Sequence, residues 1–179
     1  MKFLLLILAL FYVSSLAHAQ VVLPSVFSDN MVLQRNTPIP VWGTAKANEK
    51  IEVRFNSQVK KTKADKNGKW QVYLDSENAG GPFKLIIKGK NTIEIKDVLV
   101  GEVWLCTGQS NMEWSVAQSA NAKYEKASAN NPLIRHIKID KEINTLPQND
   151  LNSSKSWQVC DSSTVGNFTA AGYFFAKNI

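Results

Sequence analysis

The sequence predicts a mixed fold: an all-β sandwich or jelly-roll-like module over residues 20–97, followed by the beginning of an α/β domain over residues 98–179. Three observations carry this. Apolar and polar residues alternate with a period of two in short runs before residue 97, and turn-forming clusters separate those runs. At Val98 the alternation gives way to a continuous apolar stretch, followed by helix-like and strand-like segments in turn.

Residues 1–19 read as a secretory signal peptide. Lys2 supplies a positive start, Phe3 to Val13 an apolar run too short to span a bilayer, and Ala17-His18-Ala19 a small-residue cleavage site. With no cysteine at that site, the expectation is a periplasmic or secreted chain from about Gln20, without membrane insertion after cleavage.

In the β module Ile51, Val53 and Phe55 alternate with polar residues, as do Trp70, Val72 and Leu74, and then Phe83, Leu85 and Ile87. Each run presents one apolar face, as a half-buried strand does. Turn signals lie between them: Gly43, Asp65-Lys66-Asn67-Gly68, Gly80-Gly81-Pro82 and Gly89-Lys90-Asn91.

Beyond residue 97, Val98 to Cys106 is nearly continuous apolar sequence and is expected to form a strand covered on both faces. A helix is expected after Ser110, a second strand over Leu133 to Ile139, and another helix from Thr169 onward. The apolar run Tyr173-Phe174-Phe175-Ala176 carries no helix stop signal behind it, so the chain is expected to be a fragment or to continue beyond Ile179.

The whole chain has 21 basic and 15 acidic residues. Without Lys2 the excess is about +5, too modest and too dispersed to point to nucleic acid. One concentration, Lys60, Lys61, Lys63, Lys66 and Lys69, surrounds an expected hairpin; an acidic ligand is one reading, and protection of a sheet edge is the favoured one. Cys106 and Cys160 are expected to be buried thiols, although export would permit a disulfide. Trp42, Trp70, Trp104 and Trp157 are expected in the core, and Trp114 near a pocket. Asn152-Ser153-Ser154 and Asn167-Phe168-Thr169 match the glycosylation acceptor pattern.

The chemistry-bearing stretch is Gly101 to Trp114. A serine where a buried strand turns into a helix is exposed at the carboxyl edge of the sheet, and the helix start favours negative charge forming beside it. That suits acyl transfer, in which a carbonyl oxygen becomes an oxyanion. Ser110 is therefore the candidate nucleophile, Gly108 the residue that permits the turn, and Gln109, Asn111 and Trp114 the candidate substrate-binding residues. A plain helix cap is the structural alternative for Ser110. The usual nucleophile elbow is excluded, because Met112 stands where it needs glycine. Glu102 and Glu113 flank the motif, but sequence alone cannot give the separation a glycosidase pair requires. No phosphate loop or metal-ligand spacing is present, and no metal is expected.

Gly108-Gln109-Ser110-Asn111-Met112, preceded by Gly101-Glu102-Val103-Trp104-Leu105-Cys106, resembles the first motif block of the SGNH-type hydrolases in the form found in sialate O-acetylesterases and related carbohydrate acetylesterases. Phe27 to Gln34, Pro40-Val41-Trp42-Gly43, Trp157 to Cys160 and Phe168 to Phe175 resemble further segments of that family in the same order. The resemblance implies a flavodoxin-like, three-layer hydrolase domain following the β module. It also implies hydrolysis of O-acetylated sialic acid or another acetylated glycan through an acyl-serine, without metal or organic cofactor. Ser110 would act as nucleophile and as a backbone oxyanion donor, with the base in a later Asp-x-x-His block. That block is absent here: His18 lies in the signal peptide, and His136 has Leu133 rather than aspartate three residues before it. His136 reads as an ordinary strand histidine, so residues 20–179 alone are expected to show little or no esterase activity. The alternative is a non-catalytic carbohydrate-binding or interaction module that retains the first block.

Overall fold

The computed structural model describes residues 20–141, 143–148, 150–151 and 156–179. The signal peptide and the acceptor pattern at 152–154 lie outside the described residues.

Alternation of apolar side chains produces the strands where it is regular. A five-stranded sheet has the order β1-β7-β6-β3-β4, built from β1 (Val32–Gln34), β3 (Lys50–Phe55), β4 (Gln58–Lys63), β6 (Gly80–Lys88) and β7 (Thr92–Gly101). It curls over a two-stranded sheet of β2 (Ile39–Thr44) and β5 (Lys69–Leu74). Val41, Val72 and Leu74 from the pair share one core with Val53, Phe55, Leu85 and Ile87 from the larger sheet. Burying each such side chain contributes roughly 1.5–3 kcal/mol, so this core is the main stabilising body of the chain.

Asn56, at φ 50°, supports the two-residue turn that sets Phe55 opposite Gln58 in the β3–β4 hairpin. Strand β4 is the edge of the sheet. Its Lys60 pairs with Asp75 at 2.8 Å and its Lys61 with Glu52 at 3.5 Å. A lysine-bearing edge opposes further strand addition, the favoured sequence reading of this charge cluster.

The rest of the chain departs from expectation in three ways. Strand β7 belongs to the β module, antiparallel to β6 and parallel to β1, and ends at Gly101. The run through Cys106 is not a covered strand: Trp104 is 58% and Leu105 82% exposed, because no described strand lies beside residues 102–108. The strand expected from Leu133 is β8 (Asn130–His136), which pairs antiparallel with β9 (Gln158–Asp161) and, among the described residues, joins no parallel sheet. The helices are short: α1 (Ser110–Glu113), α2 (Ala122–Ser128) and α3 (Ala170–Lys177). A small core of Val116, Cys160, Val165, Phe168 and Tyr173 holds them together.

Among the described residues, side-chain contacts tie the segment after β7 to the β module. Arg135, only 5% exposed at its side chain, forks onto Asp97 at 2.8 and 3.2 Å and donates to Asn30 Oδ1 at 3.3 Å. Trp157 donates its indole N–H to the Val26 carbonyl at 2.9 Å, and the Ser25 hydroxyl donates to Asp150 at 2.8 Å. Asn30 and Asp97 both hold left-handed backbones, at φ 67° and 54°, a conformation that asparagine and aspartate tolerate better than other side-chain-bearing residues.

Trp70 is buried and Trp157 packs against the β core, whereas Trp42 and Trp104 are exposed, contrary to expectation. Trp42 lies edge-on to Phe27 at 4.7 Å, and Trp104 edge-on to Phe175 at 5.0 Å. Both cysteines are free thiols. Cys160 is buried, and Cys106 is exposed because it lies in the uncovered run.

Candidate active site

The segment leading to Ser110 leaves the β module under tight control. Gln34, at the end of β1, accepts the Val103 N–H at 2.9 Å and donates to Glu102 at 3.1 Å. Arg35 pairs with Glu102 at 2.6 Å, and its N–H donates to the Gly101 carbonyl at 2.9 Å. Glu102 is held below the usual carboxylate range, first by the Gln34 hydrogen bond and then by Arg35. Glu113 is likewise held low by Lys141, 2.5 Å away. Neither is poised as the raised-pKa acid that a glycosidase pair needs.

Ser110 is the first residue of α1, and its side chain is exposed. Gln109, not Ser110, occupies the N-cap position, and its side chain makes no capping hydrogen bond. The Ser110 hydroxyl makes no hydrogen bond among the described residues, which leaves it available to an incoming carbonyl. Gly108 is not in a left-handed conformation. What its position requires is space, since an added Cβ would stand 2.9 Å from Met112 Cγ.

The expected helix after Ser110 is only four residues long. Its macrodipole is correspondingly small; the Met112 N–H is taken by the Gln109 carbonyl at 2.9 Å, and the Ser110 and Asn111 N–H groups begin the helix without intrahelical acceptors. Gln109 and Asn111 are exposed on either side of Ser110. Trp114 is 53% exposed, and its indole N–H donates to the Gln118 carbonyl at 2.9 Å. Behind α1 a polar cleft of about 430 Å³ is lined by Glu113, Ser115, Gln118, His136, Lys138 and Gln158. Ser110 is not among its walls.

The carboxyl end of α1 is sewn to the start of α3. Thr169 Oγ1 donates to the Met112 carbonyl at 2.7 Å, the Ala170 N–H to the Trp114 carbonyl at 2.8 Å, and the Val116 N–H to the Phe168 carbonyl at 3.0 Å. Gly172 allows Cys106 to approach α3, since a Cβ there would lie 2.9 Å from Cys106 Sγ. The sequence carried no signal for the Thr169 contact or for the Arg135–Asp97 pair, because each joins residues far apart along the chain.

His136 is a packed strand residue, as its setting in the sequence suggested. Its ring stacks on Phe168 at 4.5 Å and 19°, and Nε2 accepts the Thr169 N–H at 3.5 Å. Burial, and then Lys138, push its pKa down to about 4. Between its ordinary value of 6.5 and about 4 the unfolded chain binds a proton that the folded chain refuses. Its contribution to stability is therefore complete above pH 6.5 and is lost as pH falls toward 4. In His136→Phe, which keeps a ring for the Phe168 stack, thermal melts at pH 7 and 4.5 should show an acid-side loss smaller than wild type by about 2–3 kcal/mol. Carboxylates common to both proteins cancel in that comparison, and identical pH slopes would remove His136 as the source.

No protein-family model matches the chain. It is 31% identical over 163 residues to the sialate O-acetylesterase of Mus musculus, covering 81% of this chain and 30% of that protein. To the sialate O-acetylesterase of Homo sapiens it is 33% identical over 149 residues, covering 73% of this chain and 28% of that one. Among solved structures it is similar to a carbohydrate acetylesterase from Xanthomonas citri, with a TM-score of 0.86 and 41% identity over 88% of this chain and 37% of that chain. The chain thus spans about a third of the length of the relatives it matches.

Proposed function

From the homology of this chain to the sialate O-acetylesterases and to a bacterial carbohydrate acetylesterase, we propose that it supplies the β module and the nucleophile of a serine esterase acting on O-acetylated sugars. The observation that carries the reading is Ser110, exposed with an unengaged hydroxyl at the first turn after the strand exit. Ser110 attacks the acetyl carbonyl, its backbone N–H helps to hold the oxyanion, and water releases acetate from the acyl-serine. Gln109, Asn111 and Trp114 border the nucleophile and contact the sugar. O-acetylated sialic acid is the favoured substrate, in keeping with the names of the mammalian relatives.

The general base comes from outside residues 20–179. His136 does not serve, since its ring is stacked against Phe168 and its Nε2 already accepts a backbone N–H. The residues that follow β7, 102–179, are accordingly the opening of a larger α/β hydrolase domain. The exposed run Val103-Trp104-Leu105, beside Phe175, supports that view: apolar strand-like sequence of this kind is normally covered. Export to the periplasm or the exterior is proposed from the leader sequence.

The test is acetate release from a panel of acetylated sugars, comparing full-length protein with residues 20–179. The full-length protein should turn over O-acetylated sialic acid, and the fragment should release almost nothing. Substantial turnover by the fragment would refute an external base, and failure of the full-length protein on every acetylated sugar would favour a non-catalytic module.

A further inference from the structure

We propose that Thr169 is a positioning residue for Ser110: its hydroxyl fixes the nucleophile-bearing turn in place. The inference rests on the reading of Ser110 as nucleophile. Helix α1 cannot hold its own position. It has four residues, buries none of them and carries no side-chain cap. A single turn with so few hydrogen bonds is unfavourable in isolation, so contacts from elsewhere decide where it sits.

Of those contacts among the described residues, the Thr169 hydroxyl is the one that engages the backbone of α1, donating to the Met112 carbonyl at 2.7 Å, whereas Lys141 reaches the helix only through the exposed Glu113 side chain. The backbone pairs at Trp114 and Val116 act downstream of the helix. Thr169 is also the N-cap of α3, a position where threonine ordinarily accepts a hydrogen bond from its own helix. It makes no such capping bond here. A side chain that leaves its own helix uncapped and engages the orphan carbonyl of a neighbouring one is a local preference overridden by tertiary need. Its backbone is tied as well: the N–H donates to His136 Nε2 at 3.5 Å, and the carbonyl accepts the Tyr173 N–H at 2.9 Å. The hydroxyl is therefore delivered from a braced platform, and Met112 lies two residues from the nucleophile.

Loss of this hydroxyl should leave substrate binding intact and misplace the attacking oxygen. In the full-length protein, Thr169→Val keeps the shape and removes the donor. Its kcat should fall about 10- to 100-fold with KM within twofold of wild type, since small misplacements of a reacting group carry rate losses of this order. Thr169→Ser, which restores the donor, should recover most of that rate. The rate at which a fluorophosphonate labels Ser110 should follow the same order, and it reports on the serine without substrate turnover. Wild-type kcat and labelling in Thr169→Val would overturn the inference, as would failure of Thr169→Ser to recover either. Should Thr169→Val not fold, Thr169→Ser against Thr169→Ala in the labelling assay decides the matter by the same criterion. Ser110→Ala separates the two levels: if it retains activity, the esterase reading itself fails; if it is inactive while Thr169→Val matches wild type, only the positioning role fails.

Discussion

Ser110→Ala in the full-length protein should reduce acetate release by about a thousandfold or more, the scale seen when the nucleophile of a serine hydrolase is removed. Stability should barely change. The side chain is exposed, buries nothing and makes no hydrogen bond among the described residues, so the expected shift lies within about 0.5 kcal/mol. This pairing of a large kinetic effect with a negligible thermodynamic one distinguishes a nucleophile from a structural serine. Mass spectrometry of protein quenched during turnover should find an added acetyl group on the peptide containing Ser110, and none in the variant. Retention of most activity by Ser110→Ala would exclude the assignment, however close the neighbouring residues lie to those of the acetylesterases.

The largest effect on stability is expected at Asp97. Removing its carboxylate leaves the Arg135 guanidinium, 5% exposed, with the Asn30 amide oxygen and the Pro132 carbonyl as its partners among the described residues. An unpaired buried charge costs about 3–5 kcal/mol, and because Asp97 itself is partly exposed the lower end applies. Asp97→Ala also places a β-carbon without a stabilising side chain at φ 54°. Together these should cost about 3 kcal/mol, or about 6–12 °C in melting temperature for a chain of this size. Asp97→Asn keeps both the left-handed tolerance and an acceptor for Arg135, so its loss should be less than half as large. A melting temperature for Asp97→Ala within 2 °C of wild type would mean that the two halves of the chain are held together elsewhere.

The reach of sequence reasoning followed the range of the interactions involved. Strands β3, β5 and β6 were legible because a period of two is a local property: Val53, Val72 and Leu85 fall on buried faces wherever the partner strand comes from. The lysines of the edge strand were legible from composition in the same way, but the hairpin turn lies at Asn56, ahead of the lysine cluster around which it was expected. The failures share one cause. Val98 to Cys106 is uniformly apolar, and such a run does not say where its cover ends; the structure ends the strand at Gly101 and leaves Trp104, Leu105 and Cys106 exposed. Trp42 was misplaced for a related reason, since alternation within β2 turns it to the outer face.

Sequence by itself determined the β module, the family likeness and the serine on which the functional reading rests, because each is written in residues adjacent or regularly spaced along the chain. Only the tertiary structure decided how that serine is held. The Gln34–Val103 contact, the Thr169–Met112 contact and the Arg135–Asp97 pair join residues 69, 57 and 38 positions apart. No local pattern encodes such pairings. They form because folding brings together donors and acceptors that lie far apart along the chain, at exposed and partly buried positions alike.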